Sequence, residues 1–403
     1  MLITQTAIRN TLRNKKRSFF TLSTIAGGFC LLSLSIGLSF GSYDFIINAF
    51  TDNSTGHIQI HQKGYLKRPN LNKTFALNDE LTSELKKNSN IFAYTPRLKG
   101  FALAYAKNKS TSASVIGIDY QLEKQVTKMI SRMDPAPTEL MSSYKLVYIG
   151  AALANTLNLK RGEEIILISS GLDGSIANDV FKVAGIIGNK NSAERLTIVM
   201  PFEIAKVFFV SQNQIHEIAI RLSDIGLTES TTFKLKAAID PSLSISPWME
   251  IEEEFYKGMK ADLKGNYVTL SIILIMVTLG ILNTVLMLLL ERTKEFGVLK
   301  AIGTHPKVLV QLIVTEVFFL SIMGVLTGLL VAVPVNFYFQ RHGIPLPEPI
   351  DMGGIKFEFM YGSISIQSIV IPAMVSILSA TLVSLYPAIR AARINPVDAL
   401  RSN

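Results

Sequence analysis

Four stretches of this 403-residue chain are long and almost free of charge. Ser18 to Tyr43, Tyr267 to Leu290 and Phe359 to Ile389 carry no charged residue, and Val308 to Gln340 carries only Glu316. Each exceeds the ~20 residues a helix needs to cross a bilayer core. In hydrocarbon only a helix satisfies its own backbone. The runs therefore predict four transmembrane helices, at 18–43, 266–290, 308–337 and 363–388. An apolar share of 48% would suit a water-soluble globule. Its concentration in four blocks does not.

Lysine and arginine near the ends of the runs set the orientation. Residues 1–17 form a basic amphipathic segment, with Arg9, Arg13, Lys15, Lys16 and Arg17 and no acid. The 291–307 loop carries Arg292, Lys294, Lys300 and Lys307 against Glu291 and Glu295. In the 389–403 tail Arg390, Arg393 and Arg401 face one acid, Asp398, whereas acids outnumber bases in the 338–362 loop. Both termini and the 291–307 loop are thus expected in the cytoplasm, with 338–362 and 44–265 outside. The net charge of +9 reads as this topology signal, and no nucleic-acid partner is expected. The first run is too long for the apolar core of a cleaved signal peptide and lacks a clear small-x-small cleavage site, so it is expected to stay. Cys30 is the sole cysteine, so no disulfide can form within the chain.

Residues 44–265 alternate short β-like runs with helical ones. The β-like runs are 57–61, 114–118, 145–149, 164–168, 180–187, 197–200 and 217–222. The helical ones are 79–87, 121–130, 151–157, 202–210 and 227–238. This is a mixed α/β pattern. Gly171-Leu172-Asp173-Gly174-Ser175 reads as a loop tip. The expected fold is therefore an α-helical membrane protein with four transmembrane helices and a large α/β periplasmic domain between helices 1 and 2.

The sequence contains no Gly-x-x-x-x-Gly-Lys-Ser/Thr loop, no G-x-S-x-G elbow and no H-E-x-x-H pair. No catalytic, cofactor or metal residue is expected. His57 and His61 alternate like strand residues on one half-exposed face, with no third ligand nearby. Glu250–Glu254 reads as a solvated helix start. Glu316 is the one ionisable group inside a run, near the cytoplasmic end of the third, where an Arg or Lys at a helix end can pair with it. Gly37 with Gly41, and Gly324 with Gly328, have the small-xxx-small spacing that lets helices pack closely. Glu291–Gly303 is short, charged and amphipathic, with Val298, Leu299 and Ile302 on one stripe. Such a segment fits the membrane surface and equally a groove on a soluble partner.

Leu282-Asn283-Thr284 through Gly303, with its Glu-Arg-x-x-Glu-Phe-Gly-Val-Leu-x-Ala-x-Gly run, resembles the exit of the second span in FtsX/MacB-type (type VII) ABC transporter permeases. Ala7-Ile8-Arg9-Asn10 is similar to their start, and Tyr386-Pro387-Ala388 with Ala391-x-x-Ile394-x-Pro396-x-x-Ala399-Leu400-Arg401 to their end. Tyr148-Ile149-Gly150 through Gly162-Glu163 looks like their external domain. The resemblance implies a permease in the bacterial inner membrane, paired with a second permease (an identical copy or a paralogue) and with P-loop ATPase subunits. No ATPase is fused in this sequence, so ATP and magnesium are expected on a separate subunit. It further implies that Glu291, Arg292, Glu295, Phe296, Gly297, Val298, Leu299, Lys300, Ala301, Ile302 and Gly303 form a coupling helix docking on that ATPase. Hydrolysis would then move the periplasmic domain, an action termed mechanotransmission. Thr55–His61 and Ser246-Pro247-Trp248 are similar to LolC/LolE-like permeases, which release lipoproteins to a periplasmic carrier or adaptor. In LolC a hook loop recruits the carrier; here Ser169–Asp179 is short and has no proline. A MacB-like exporter of peptides or small amphiphiles, an FtsX-like signalling regulator, and a membrane anchor or sensor without an ATPase are the other classes.

The topology has a direct test. In a Cys30→Ala background, Ser175→Cys is expected to react with an impermeant thiol reagent on intact spheroplasts. Reaction only after membrane disruption would reverse the orientation.

Overall fold

The computed structural model describes residues 15–137, 145–352 and 355–394. Arg9, Arg13 and the Ala7–Asn10 motif lie outside the described residues, as do Pro396, Asp398 and Arg401 of the tail. Four helices are long and apolar enough to cross a membrane. They are Lys15–Phe50, Glu253–Glu291, Pro306–His342 and Ile366–Arg393. The first three contain 36, 39 and 37 residues. At ~1.5 Å per residue each reaches well past a ~30 Å core. The stretches 44–50 and 257–265, which lie beyond the uncharged runs, are helical as well.

Local sequence explains where these helices begin. His305 caps the third through Nδ1, which accepts from the Lys307 amide at 3.3 Å, and Pro306 takes the first position. The fourth opens with a reciprocal box: Ser365 Oγ accepts from the Ser368 amide and Ser368 Oγ from the Ser365 amide.

The chain divides into two compact units. One is the helical bundle, formed among the described residues by 15–45, Met259–Pro347 and 359–394. Here the glycines act as contact points. A Cβ on Gly324 would lie 2.7 Å from Ile25 Cγ2, and one on Gly328 2.8 Å from Phe29 Cδ1. Gly37 faces Asn336, and Gly41 faces the Tyr361–Gly362 backbone. Gly28, which lies in neither predicted pair, is packed against Val277.

The other unit comprises Ile46–Gly258 with Glu348–Glu358. Its large sheet contains β1 (Ile58–Gln62), β3 (Ile91–Ala106), β4 (Lys109–Ile118), β5 (Met133–Asp134), β6 (Leu146–Gly150), β7 (Glu164–Ser170), β8 (Ile176–Ile187), β9 (Thr197–Pro201), β11 (Glu217–Leu222) and β12 (Leu243–Pro247). β2 (Phe75–Ala76) and β10 (Gln214–Ile215) form a separate pair. Six strands of the large sheet close on themselves, because β3 pairs β4, then β9, β6, β8 and β7 follow, and β7 returns to β3. Ala104, Val115, Ile149, Leu167 and Phe181 fill this barrel. On the other side β12, β1 and β11 extend the sheet from the first half of β3. Ile58, Ile60, Ile218 and Ile220 pack there against Leu81, Leu85 and Leu235 from the helices Asp79–Lys87 and Thr228–Ala238.

Several expectations need correction. The 338–362 loop holds a hairpin, β13 (Ile344–Met352) with β14 (Ile355–Met360), and its Phe357 ring lies 6.5 Å from that of Phe50. His57 and His61 are buried rather than half-exposed, and His61 pairs with Glu217 and stacks on Tyr65. His57 Nδ1 accepts from the Leu222 amide. β3 and β12 were not anticipated as strands.

Removing the Phe181 ring is expected to cost ~3–5 kcal/mol, since it is 1% exposed in the barrel core. Phe92→Ala, at an exposed ring, should shift stability by less than ~0.5 kcal/mol. Denaturant unfolding of the detergent-solubilised chain compares the two; equal losses would contradict the barrel core.

Candidate functional site

The segment between the second and third long helices is built around Arg292. The second helix ends at Glu291, and a new helix runs Thr293–Ala301. Arg292 sits at the break with its guanidinium turned inward. Nη1 donates to both oxygens of Glu316 in the third helix, at 3.0 and 2.8 Å, and Nε donates to Glu295 at 2.8 Å. The same group lies 5.2 Å over the Phe296 ring. Arg292 and Glu316 are both buried, so each supplies the charge the other needs away from water.

Phe296 and the half-buried Leu299 point the same way, into a cluster with Leu289, Leu309, Ile313, Ala388 and Ala391. Lys300 Nζ donates to the carbonyls of Ala392 and Ile394, at 2.9 and 2.6 Å, where the fourth helix ends. The short helix closes with a Schellman turn: Gly303 has φ +97°, the Gly303 amide donates to Lys300 O and the Thr304 amide to Leu299 O. Val298 (43% exposed) and Ile302 (78% exposed) face outward, one turn apart. The predicted stripe of Val298, Leu299 and Ile302 is therefore split. Leu299 lies three residues after Phe296, which puts it on the inward face.

A second constellation went unnoticed in the sequence. The first long helix passes into a π-helical turn, Thr51–Thr55, inside the α/β domain. Arg97 Nη1 donates to Ser54 O at 2.6 Å, and Arg132 Nη2 to Asn53 O at 2.8 Å. The Arg97 guanidinium also donates to Glu123 at 3.0 and 2.6 Å and to Glu217 at 2.7 Å. Glu217 further accepts from Lys99 and pairs with His61 at 3.1 Å. Burial works against the charge of Glu217, but Lys99, Arg97 and His61 outweigh it and hold the carboxyl well below the usual carboxylate range. Next to it, His216 Nε2 donates to Leu71 O at 2.8 Å while Nδ1 accepts from the Lys99 amide at 3.2 Å. That pattern requires the neutral ring, and burial lowers its pKa to about 4. Among the described residues no three His, Cys, Asp or Glu side chains are grouped to hold a metal ion.

The FtsX-like permease C-terminal family model matches residues 267–396, and the MacB-like periplasmic core domain model matches residues 18–238, more than half of the chain. The chain belongs to the FtsX/MacB-type permease family. The lipoprotein-releasing system transmembrane protein LolC of Xylella fastidiosa is 20% identical over 63% of this permease and 64% of its own length. The macrolide export ATP-binding/permease protein MacB of Nitrobacter winogradskyi is 25% identical over 64% of this permease and 39% of its own length. MacB of Wolinella succinogenes is 22% identical over 98% and 60%. The permease thus spans less than two thirds of the length of these relatives. Its four long helices are apolar enough to cross a membrane.

Of the residues singled out in the sequence, the structure brings Arg292, Glu295, Phe296 and Glu316 together and turns Lys300 onto the fourth helix. It leaves Val298, Ala301, Ile302 and Gly303 on the surface. The four paired glycines lie at contacts within the bundle.

His216 makes acid stability testable. Between its ordinary 6.5 and the folded value of about 4, the unfolded chain binds a proton that the native ring does not. Stability therefore falls as pH drops through that window, by up to ~3 kcal/mol. Glu217 adds its loss only as pH falls below its ordinary 4.5 toward its lower folded value. His216→Gln, which keeps a donor for Leu71, should flatten the slope of unfolding free energy between pH 6.5 and 4. An unchanged slope would mean that the ring is protonated in the native state.

Proposed function

We propose that this permease transmits the work of a separate P-loop ATPase to its α/β domain, and that it releases lipoproteins from the inner membrane. In this reading both termini and the 291–307 turn are cytoplasmic, and the α/β domain lies outside the membrane between helices 1 and 2. A second permease, the same or a paralogue, completes the transporter. ATP and magnesium reside on the ATPase, and this chain binds no cofactor of its own. A periplasmic carrier or adaptor takes up the released product.

One observation carries the mechanical part. The first long helix ends inside the α/β domain, with Asn53 and Ser54 carbonyls held by Arg132 and Arg97, and Arg97 is in turn fixed to β11 through Glu217. Close by, the Phe255 ring of the second helix lies 4.9 Å from that of Phe50. A tilt of these helices would reach the sheet through these packed rings and buried arginines. Val298 and Ile302 offer the apolar contact an ATPase groove requires. The exposed Phe101, Leu103 and Ile168 on β3 and β7 form an apolar sheet face that suits acylated or apolar cargo.

Export of peptides or small amphiphiles is the second reading. It is favoured by a similarity to a MacB that runs over 98% of this chain and by the β7–β8 connection, which is a tight Gly171–Ser175 turn.

Reconstitution with the ATPase separates these outcomes. The permease is expected to co-purify with an ATPase and to release a lipid-modified protein from liposomes when ATP is added. Val298→Asp with Ile302→Asp should abolish co-purification, since a charge buried in a groove costs several kcal/mol, and leave membrane insertion intact. Retained co-purification would move the docking face elsewhere. ATP-driven export without lipoprotein release would favour the second reading.

A further inference from the structure

Docking on an ATPase explains an exposed Val298 and Ile302, but it does not explain what lies beneath them. The inward face of the 292–301 segment, itself continuous with the second helix, is tied to both the third and the fourth helix. Arg292 continues from the second helix and grips Glu316 of the third with two hydrogen bonds. Lys300 closes the last carbonyls of the fourth. Phe296 and Leu299 pack between them, on Leu309 and Ile313 of the third helix and Ala388 and Ala391 of the fourth. A short helix needs none of this merely to fold over a turn. The Schellman closure at Gly303 and the His305 cap already define both sides of the connection.

The two polar tethers also differ from surface ion pairs. Arg292 and Glu316 are buried, so separating them leaves a charge unpaired away from water. The carbonyls that Lys300 takes have no partner within their own helix, and a cation suits the negative end of that helix. The segment therefore cannot slide over the bundle while both tethers hold.

We propose that Arg292, Glu316 and Lys300 are positioning residues that lock the 292–301 helix to the ends of the second, third and fourth helices. A thrust on Val298 and Ile302 then moves three helices as one body instead of being absorbed in the turn. This inference rests on the coupling role proposed above for the segment.

The fork geometry of Arg292 makes the proposal testable apart from charge. Lysine keeps the charge but cannot hold Glu316 and Glu295 at once, as the Arg292 fork does through Nη1 and Nε. Hydrogen exchange is measured first on the detergent-solubilised permease alone. Arg292→Lys and Glu316→Gln should each raise amide exchange in 293–302 by roughly tenfold or more, with exchange in β6 of the α/β domain unchanged. Lys300→Met should raise it in the last turn of the fourth helix. The swap Arg292→Glu with Glu316→Arg should restore protection, which a merely disruptive substitution would not. With the ATPase present, Glu316→Gln should still co-purify and hydrolyse ATP while ATP-driven release falls by roughly tenfold. Unchanged exchange in 293–302, a rise spread evenly over the whole chain, or full release by Glu316→Gln would each overturn the lock. If no ATPase co-purifies with the unaltered permease, the coupling role fails, while the exchange results still decide the lock.

Discussion

The last turn of a helix leaves carbonyls with no amide to receive. Where such an end is buried, something else must donate. This permease meets that requirement twice with cations. Arg97 and Arg132 take Ser54 and Asn53 at the end of the first long helix, and Lys300 takes Ala392 and Ile394 at the end of the fourth. Each cation also suits the negative end of the helix it closes. In both places the donor belongs to an element that has to be held against the helix for the protein to work as proposed. A solvated helix end would leave these elements free to slide.

A buried cation demands its own compensation, and that demand organises the α/β domain. Arg97 stands in the middle of β3 and is satisfied by Glu123 and Glu217. Glu217 collects Lys99 and His61 as well. One guanidinium thereby fixes a helix end, the Tyr120–Val126 helix and strand β11 at once. Loss of either acid would leave charge stranded in the interior, whereas the apolar clusters on the two sides of β3 tolerate small changes in volume.

The membrane part was largely legible, because hydrocarbon permits few solutions and an uncharged run of this length has one reading. Glu316 stood out for the same reason, and a helix-end arginine was its natural partner. The short helix was visible in its pattern, but its facing was not. Val298, Leu299 and Ile302 look alike as a string, and only the burial of Phe296 shows that Leu299 turns with it. Arg97 left no signal. It lies in Pro96-Arg97-Leu98-Lys99-Gly100, where proline, glycine and two charges mask a strand pattern, and its acids are 26 and 120 residues away. Strand β3 was missed with it, since buried charge breaks the alternation that marks a strand. The helical continuations beyond the spans were hidden too, because their polar residues no longer face lipid and so resemble a linker.

β3 serves both halves of the α/β domain. Its residues 91–97 pair with β11 and its residues 103–105 pair with β7, while β4 follows it from 97 to 106. An extra residue between Arg97 and Leu103 would turn over every side chain of one half relative to the other. The Lys107–Asn108 turn that follows is equally closed to insertion, since both residues have positive φ and set the register with β4. Growth in this domain is thus confined to loop tips such as Gly171–Ser175, where added length slips no strand. A reach toward new cargo can be gained there without disturbing the spine that both halves share.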